Sequence, residues 1–165
     1  MKQYKPTSAG RRQFTVVDYS SLTATEPHKT LTKRLKRHAG RNHHGRITMR
    51  HQGGGNKILY RMIDFRQDKV GVPGRVESIE YDPYRTAFIA LLVYRDGERR
   101  YILAPNGLNV HDMVATSEDT PLTVGNRTRL QRIAVGSFVY NVELLPGKGG
   151  QLGRSAGVSV QVLAH

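Results

Sequence analysis

From Pro27 through Ile63 the chain contains no Asp or Glu, yet ten Lys or Arg fall within that stretch. This is the tightest constraint on what it can fold into. A run of like charge repels itself. Its few apolar residues, Leu31, Leu35, Ile47 and Met49, are too sparse to offset the entropy of ordering it alone. Divided at Arg61, the first part holds 14 basic and 2 acidic residues, a net +12, and the remainder 12 and 11, a net +1. The basic third is therefore expected to be extended and to become ordered against a polyanion, of which nucleic acid is the commonest.

The rest of the chain reads differently. With 38% hydrophobic residues over 165 positions, the part after Arg61 can bury a modest core. There are no cysteines, which excludes disulfides, thiolate metal sites and cysteine nucleophiles. No apolar run approaches the roughly 18 to 20 residues that span a bilayer. The first residues lack the apolar segment of a secretory signal, so a soluble, non-exported protein with no membrane partner is expected.

Short apolar segments bounded by turn residues predict an all-β chain without long helices. Ile58–Phe65 reads as a strand, and Arg75–Tyr81 alternates, with Val76, Ser78 and Glu80 on one face. Asp82-Pro83 breaks that strand. Ala87–Tyr94 is a continuous apolar run, followed by Asp96-Gly97 as a type I′ hairpin turn and by Arg100–Leu103 returning. Further strands are expected over 129–135, 138–145 and 158–163. Several short strands at this spacing argue for two small barrels in tandem.

Glycines interleave with the basic charge at Gly40, Gly45 and the run Gly53, Gly54 and Gly55, where a bare backbone can approach a sugar-phosphate chain closely. His38, His43, His44 and His51 add donors and flat rings able to stack on bases. They also suggest zinc, but structural zinc prefers fixed spacings, usually with Cys, so neither metal nor cofactor is expected. Gly147-Lys148-Gly149-Gly150 resembles a phosphate loop only superficially: Lys148 is followed by Gly and no helix follows. Asp64, Asp68, Asp82, Asp96 and Asp112 suit turns or ion pairs, and no nucleophile elbow is present. The sequence nominates no enzyme. An architectural DNA-binding module using the same arm is the alternative to an RNA-binding protein.

Several motifs in order carry a family resemblance. They are His51-Gln52-Gly53-Gly54-Gly55-Asn56-Lys57, Tyr60–Phe65, Glu80-Tyr81-Asp82-Pro83, Ile89–Leu92 and Tyr101–Pro105, then Asn141–Leu144, Pro146–Leu152 and Arg154-Ser155-Ala156-Gly157. Together they resemble the large-subunit ribosomal protein family numbered two, in its bacterial form. The resemblance implies a basic N-terminal extension over 1–59, an oligonucleotide-binding (OB) barrel over 60–120, and an SH3-like barrel over 121–165 expected to be truncated. It implies binding to large-subunit rRNA near the peptidyl-transferase region. Neighbouring ribosomal components and the small subunit are the further partners implied, with roles in subunit association, tRNA binding and peptide-bond formation on a cytoplasmic ribosome. RNA-contacting positions of the family fall on Lys69, Arg85 and Arg154. Gln67 stands where a basic residue is usual, Tyr84 where Asn is common, and Tyr140 where His is frequent. The family's C-terminal extension has no counterpart in these residues. The RNA-binding set expected on all these grounds is Lys33, Arg34, Lys36, Arg37, Arg41, Arg46, Arg50, His51, Lys57, Arg61, Arg66, Lys69, Arg85, Lys148 and Arg154. Gly53, Gly54, Gly55, Gly149 and Gly150 supply backbone approach.

Overall fold

The computed structural model describes residues 1–165. Its strands are β1 (Lys2–Gln3), β2 (Thr15–Val16), β3 (Thr32–Lys33), β4 (Tyr60–Arg61), β5 (Gly74–Glu80), β6 (Ile89–Tyr94), β7 (Arg99–Leu103), β8 (Met113–Val114), β9 (Phe138–Val139) and β10 (Val160–Gln161). The only helical pieces are three 3-10 turns.

β6 explains why its sequence has no polar interruption: both of its faces are covered. Ala90, Leu92 and Tyr94 join Val76, Ile79, Ile102, Leu108 and Val114 in one cluster. Ile89 and Leu91 join Tyr101 on the opposite face, where Leu31 and Ile63 pack over them. Each fully buried Leu or Ile contributes about 1.5–3 kcal/mol relative to exposure. The main sheet has the order β7-β6-β5-β8, with antiparallel pairing throughout. Segments from elsewhere extend its edges. Ala24 bridges Glu80, and Ile63 bridges Tyr101, both in parallel, which curls the sheet into a half-barrel.

The alternation expected in β5 fails at its middle. The register against β6 shifts between Val76 and Ser78, a β-bulge at Glu77. One extra residue reverses the parity of every later side chain. Val76 and Ile79 therefore share the main cluster, while Ser78 and Glu80 face the other way. The bulge is tied down from outside the sheet: Val76 N donates to Asp112 O at 2.9 Å and His111 N to Val76 O at 2.9 Å.

The β6–β7 hairpin forms as expected, but its turn is not type I′. Gly97 N donates to Tyr94 O and Tyr94 N to Glu98 O, both at 2.9 Å, enclosing a three-residue loop. Gly97 alone has positive φ, +84°, whereas type I′ requires it at Asp96 as well. The arrangement is a type I turn closed by a G1 bulge.

After residue 120 regular pairing is short. Residues 129–135 form no strand. Leu130–Arg132 is a 3-10 turn, with Ile133 N bonded back to Leu130 O, because no neighbouring strand lies there to take its backbone groups. The segment 138–145 contracts to β9, paired with β10, and to a single bridge from Val142 to Leu152. Phe138, Leu144, Leu145 and Leu163 are exposed.

The basic segment is anchored at both ends. Thr32 pairs with Arg61 and Lys33 with Tyr60 where β3 meets β4. Upstream, His28 N donates to the buried Tyr101 hydroxyl at 2.8 Å, and that hydroxyl donates to Glu80 at 2.7 Å. The segment is also less extended than its charge suggests. Arg41 bridges Ile47, Gly45 N donates to Asn42 O at 3.0 Å, and Asn42 N donates to Arg46 O at 3.0 Å. This repeats the β6–β7 loop geometry, with Gly45 at φ +78°. The Asn42 side chain accepts from His44 N and Arg46 N as well, so the tip holds without a partner.

Candidate nucleic-acid interface

Lys33, Arg34, Lys36, Arg37, Arg41, Arg46, Arg50, His51 and Lys57 are all exposed. None of them forms an ion pair. Every one of the ten ion pairs in the molecule uses residues after Ile63. The charge of the arm thus has no answer within the chain, as a sequence without local carboxylates requires. Gly53, Gly54 and Gly55 are exposed at φ +113°, +75° and +80°, and nothing lies within 4 Å of a side chain at Gly54. The His43 and His44 rings lie 3.8 Å apart at the hairpin tip.

Arg61 is different. It is only 8% exposed, and its guanidinium turns inward to donate to Leu59 O at 2.9 Å. Its place is beneath the arm, in the strand that anchors it. Lys69 is also engaged internally. It pairs with Asp96 and, at 2.6 Å, with Glu98, and lies 4.7 Å from the Tyr94 ring. The hydrogen bond it donates to Asp96, then the one it donates to Glu98, holds its ammonium above the usual lysine range. Arg100 completes this network, reaching Glu98 at 2.6 Å, Asp64 at 2.8 Å and Asp68. The Arg100 hydrogen bond in turn holds Asp68 below the usual carboxylate range.

Arg66, Arg85 and Arg154 converge on Phe65. Arg154 lies 4.7 Å from its ring centre and Arg85 6.0 Å. Arg85 is fixed from behind by Asp82, which is fully buried, and also covers Tyr60 at 5.4 Å. Arg66 flanks the same place, its Cγ 3.3 Å from the position a Cβ would take on Gly149. Gly150 N donates to Phe65 O at 2.9 Å. Lys148, next to Gly149 in the sequence, is exposed. Gly149 and Gly150 themselves are buried: a side chain at Gly150 would overlap Asn141, and one at Gly149 would press on Phe65 and Arg66. Their small size serves an internal approach, of the 147–150 loop onto the first barrel. Ala156 N donates to Thr86 Oγ1 at 3.2 Å, completing the join between the two β units.

Phe65 as the hub of this cluster was not named from the sequence, although it lies in the Tyr60–Phe65 strand motif. Asn141, which opens the Asn141–Leu144 motif, is held at φ +52° against Gly150, a placement the motif alone does not show. No group of three His, Asp or Glu stands close enough together to hold a metal ion. No helix is long and apolar enough to cross a membrane.

Comparison with protein-family models gives two adjoining matches. Residues 28–116 match the RNA-binding N-terminal domain of the ribosomal proteins L2, and residues 123–165 match the C-terminal domain of the same proteins.

Proposed function

The chain belongs to the ribosomal protein L2 family, and from that premise we propose that it docks on large-subunit rRNA near the peptidyl-transferase region. As a member it is a structural, rRNA-binding ribosomal protein. In the reading proposed here it braces rRNA at the face toward the small subunit. There it supports subunit association, tRNA binding and peptide-bond formation on the cytoplasmic ribosome, while RNA does the chemistry. Residues 1–59 act as the extension, 60–120 as the OB unit and 121–165 as the SH3-like unit.

The observation behind this is the segregation of charge compensation. Carboxylates neutralise Lys69, Arg99, Arg100, Arg127, Arg129 and Arg132 of the body, whereas the exposed arm residues have none. Phosphates supply what is missing, and each one neutralised adds about 0.7–0.9 to the salt slope of binding. The Phe65 cluster fixes orientation by holding Arg85 and Arg154 at the join of the two units.

Binding to large-subunit rRNA fragments across a salt series, with competing duplex DNA, tests this. A preference for one rRNA fragment that persists at elevated salt is expected. Equal and steeply salt-sensitive binding to every polyanion, duplex DNA included, would overturn specific docking.

A further inference from the structure

Beside the Phe65 cluster lies an open cleft of about 580 Å³, within the range of sites that hold small organic groups. Four aromatic rings reach it from separate parts of the chain: Tyr19 from the N-terminal segment, and Tyr81, Tyr84 and Phe88 from the β5–β6 connection. Arg85 and Arg154 supply its charge, and no Asp or Glu lines it. Among the carboxylates that adjoin the lining in sequence, Asp82 is wholly buried and bonded to Arg85, and Asp18, between Val17 and Tyr19, is exposed outside the lining and accepts from Ser20 N at 3.0 Å.

Tyr19 and Tyr81 are 52% and 46% exposed. They meet edge to face, with centroids 5.8 Å apart and planes at 85°, an arrangement that leaves ring faces unstacked. Tyr19 lies 6.1 Å from Phe88, whose ring rests on the main apolar cluster, so the platform is backed by the core. Singly exposed tyrosines need no explanation. Converging rings with two guanidiniums and no carboxylate do.

The arm offers a contrast. Between Pro27 and Leu59 there is no Phe, Tyr or Trp, so the arm's aromatic rings are its histidines alone and its density of Lys and Arg suits it chiefly to phosphates. The cleft has the complementary chemistry: ring faces that stack on a base turned out of its helix, and cations for the phosphates on either side. We propose that the cleft receives one unstacked base of the bound RNA, laid against Tyr81 and Tyr19. Arg85 and Arg154 then meet the flanking phosphates. The inference rests on the rRNA-binding reading above.

The test uses the full chain with large-subunit rRNA fragments carrying thiouridine, photo-crosslinked and mapped by mass spectrometry, alongside Tyr81→Ala, Tyr81→Phe and Tyr19→Ala. Adducts are expected on the Tyr81–Phe88 connection. Loss of one stacked base is expected to weaken binding about 5- to 150-fold in Tyr81→Ala, with an unchanged salt slope, because no phosphate contact is removed. Tyr81→Phe, which keeps the ring, should bind like the parent. Thermal melting of each variant separates misfolding from lost stacking, and Tyr19→Ala provides a second, independent deletion of a stacking ring. Parent-like affinity of both deletions, or adducts confined to the arm, overturns the inference while leaving rRNA binding intact. Failure of the parent chain to prefer any rRNA overturns the docking reading and the base site together.

Discussion

Asp82 shows how one side chain can serve stability and recognition together. It has no exposed surface and accepts from Tyr84 N at 2.8 Å and from the Arg85 guanidinium. Removing one partner of a buried pair leaves a desolvated charge and costs about 3–5 kcal/mol. Arg85→Ala should therefore lower the denaturant midpoint as well as weaken RNA binding. Arg46→Ala, on the exposed arm, should leave stability within about 0.5 kcal/mol of the parent; equilibrium unfolding distinguishes the two. Tyr140 makes a pH-dependent case. Burial pushes its phenol up to about 12, from an ordinary value of 10.0. The folded state favours the neutral ring, so its contribution is complete below pH 10 and is lost as pH rises through about 12. Tyr140→Phe should flatten the fall in melting temperature over that interval, and an unchanged alkaline limb would contradict the assignment.

At the level of elements, two loops obey one rule. Arg95-Asp96-Gly97 and His43-His44-Gly45 each place a single glycine at positive φ, +84° and +78°. Gly97→Ala should cost about 1–2 kcal/mol, the penalty for a side chain in the left-handed region, read as a lower thermal midpoint. The hairpin was legible because Asp-Gly stood between apolar runs. Its turn type was not, since that depends on how Tyr94 and Glu98 pair. The Glu77 bulge was illegible for a related reason: the bonds that hold it come from His111 and Asp112, some 35 residues away. Residues 129–135 carried strand-like composition but found no strand to pair with. The site divides in the same way. The exposed arm could be read from charge alone, whereas the inward turn of Arg61, the ion pairs of Lys69 and the gathering at Phe65 depend on distant segments meeting.

For the molecule as a whole, two kinds of electrostatics coexist. Seven of the twelve body cations, Lys69, Arg85, Arg99, Arg100, Arg127, Arg129 and Arg132, pair with carboxylates of the chain itself, while the arm waits for phosphate. Arg46→Ala should lower the slope of log affinity against log salt by about one. A substitution on the matched side, Arg132→Ala, should leave that slope unchanged in the same titration. The pairing of β3 with β4 adds a geometric consequence. Residues 34–59 depart and return at adjacent hydrogen-bonded positions, so this segment is a tethered lasso rather than a free tail. Part of the entropy of closing it is already spent in the folded chain. Its 26 residues, doubled back, reach at most about 43 Å from the barrel edge, half their extended length at about 3.3 Å per residue. Any phosphate its tip can neutralise lies inside that radius, and a single backbone cut within it would leave both halves tied to the body.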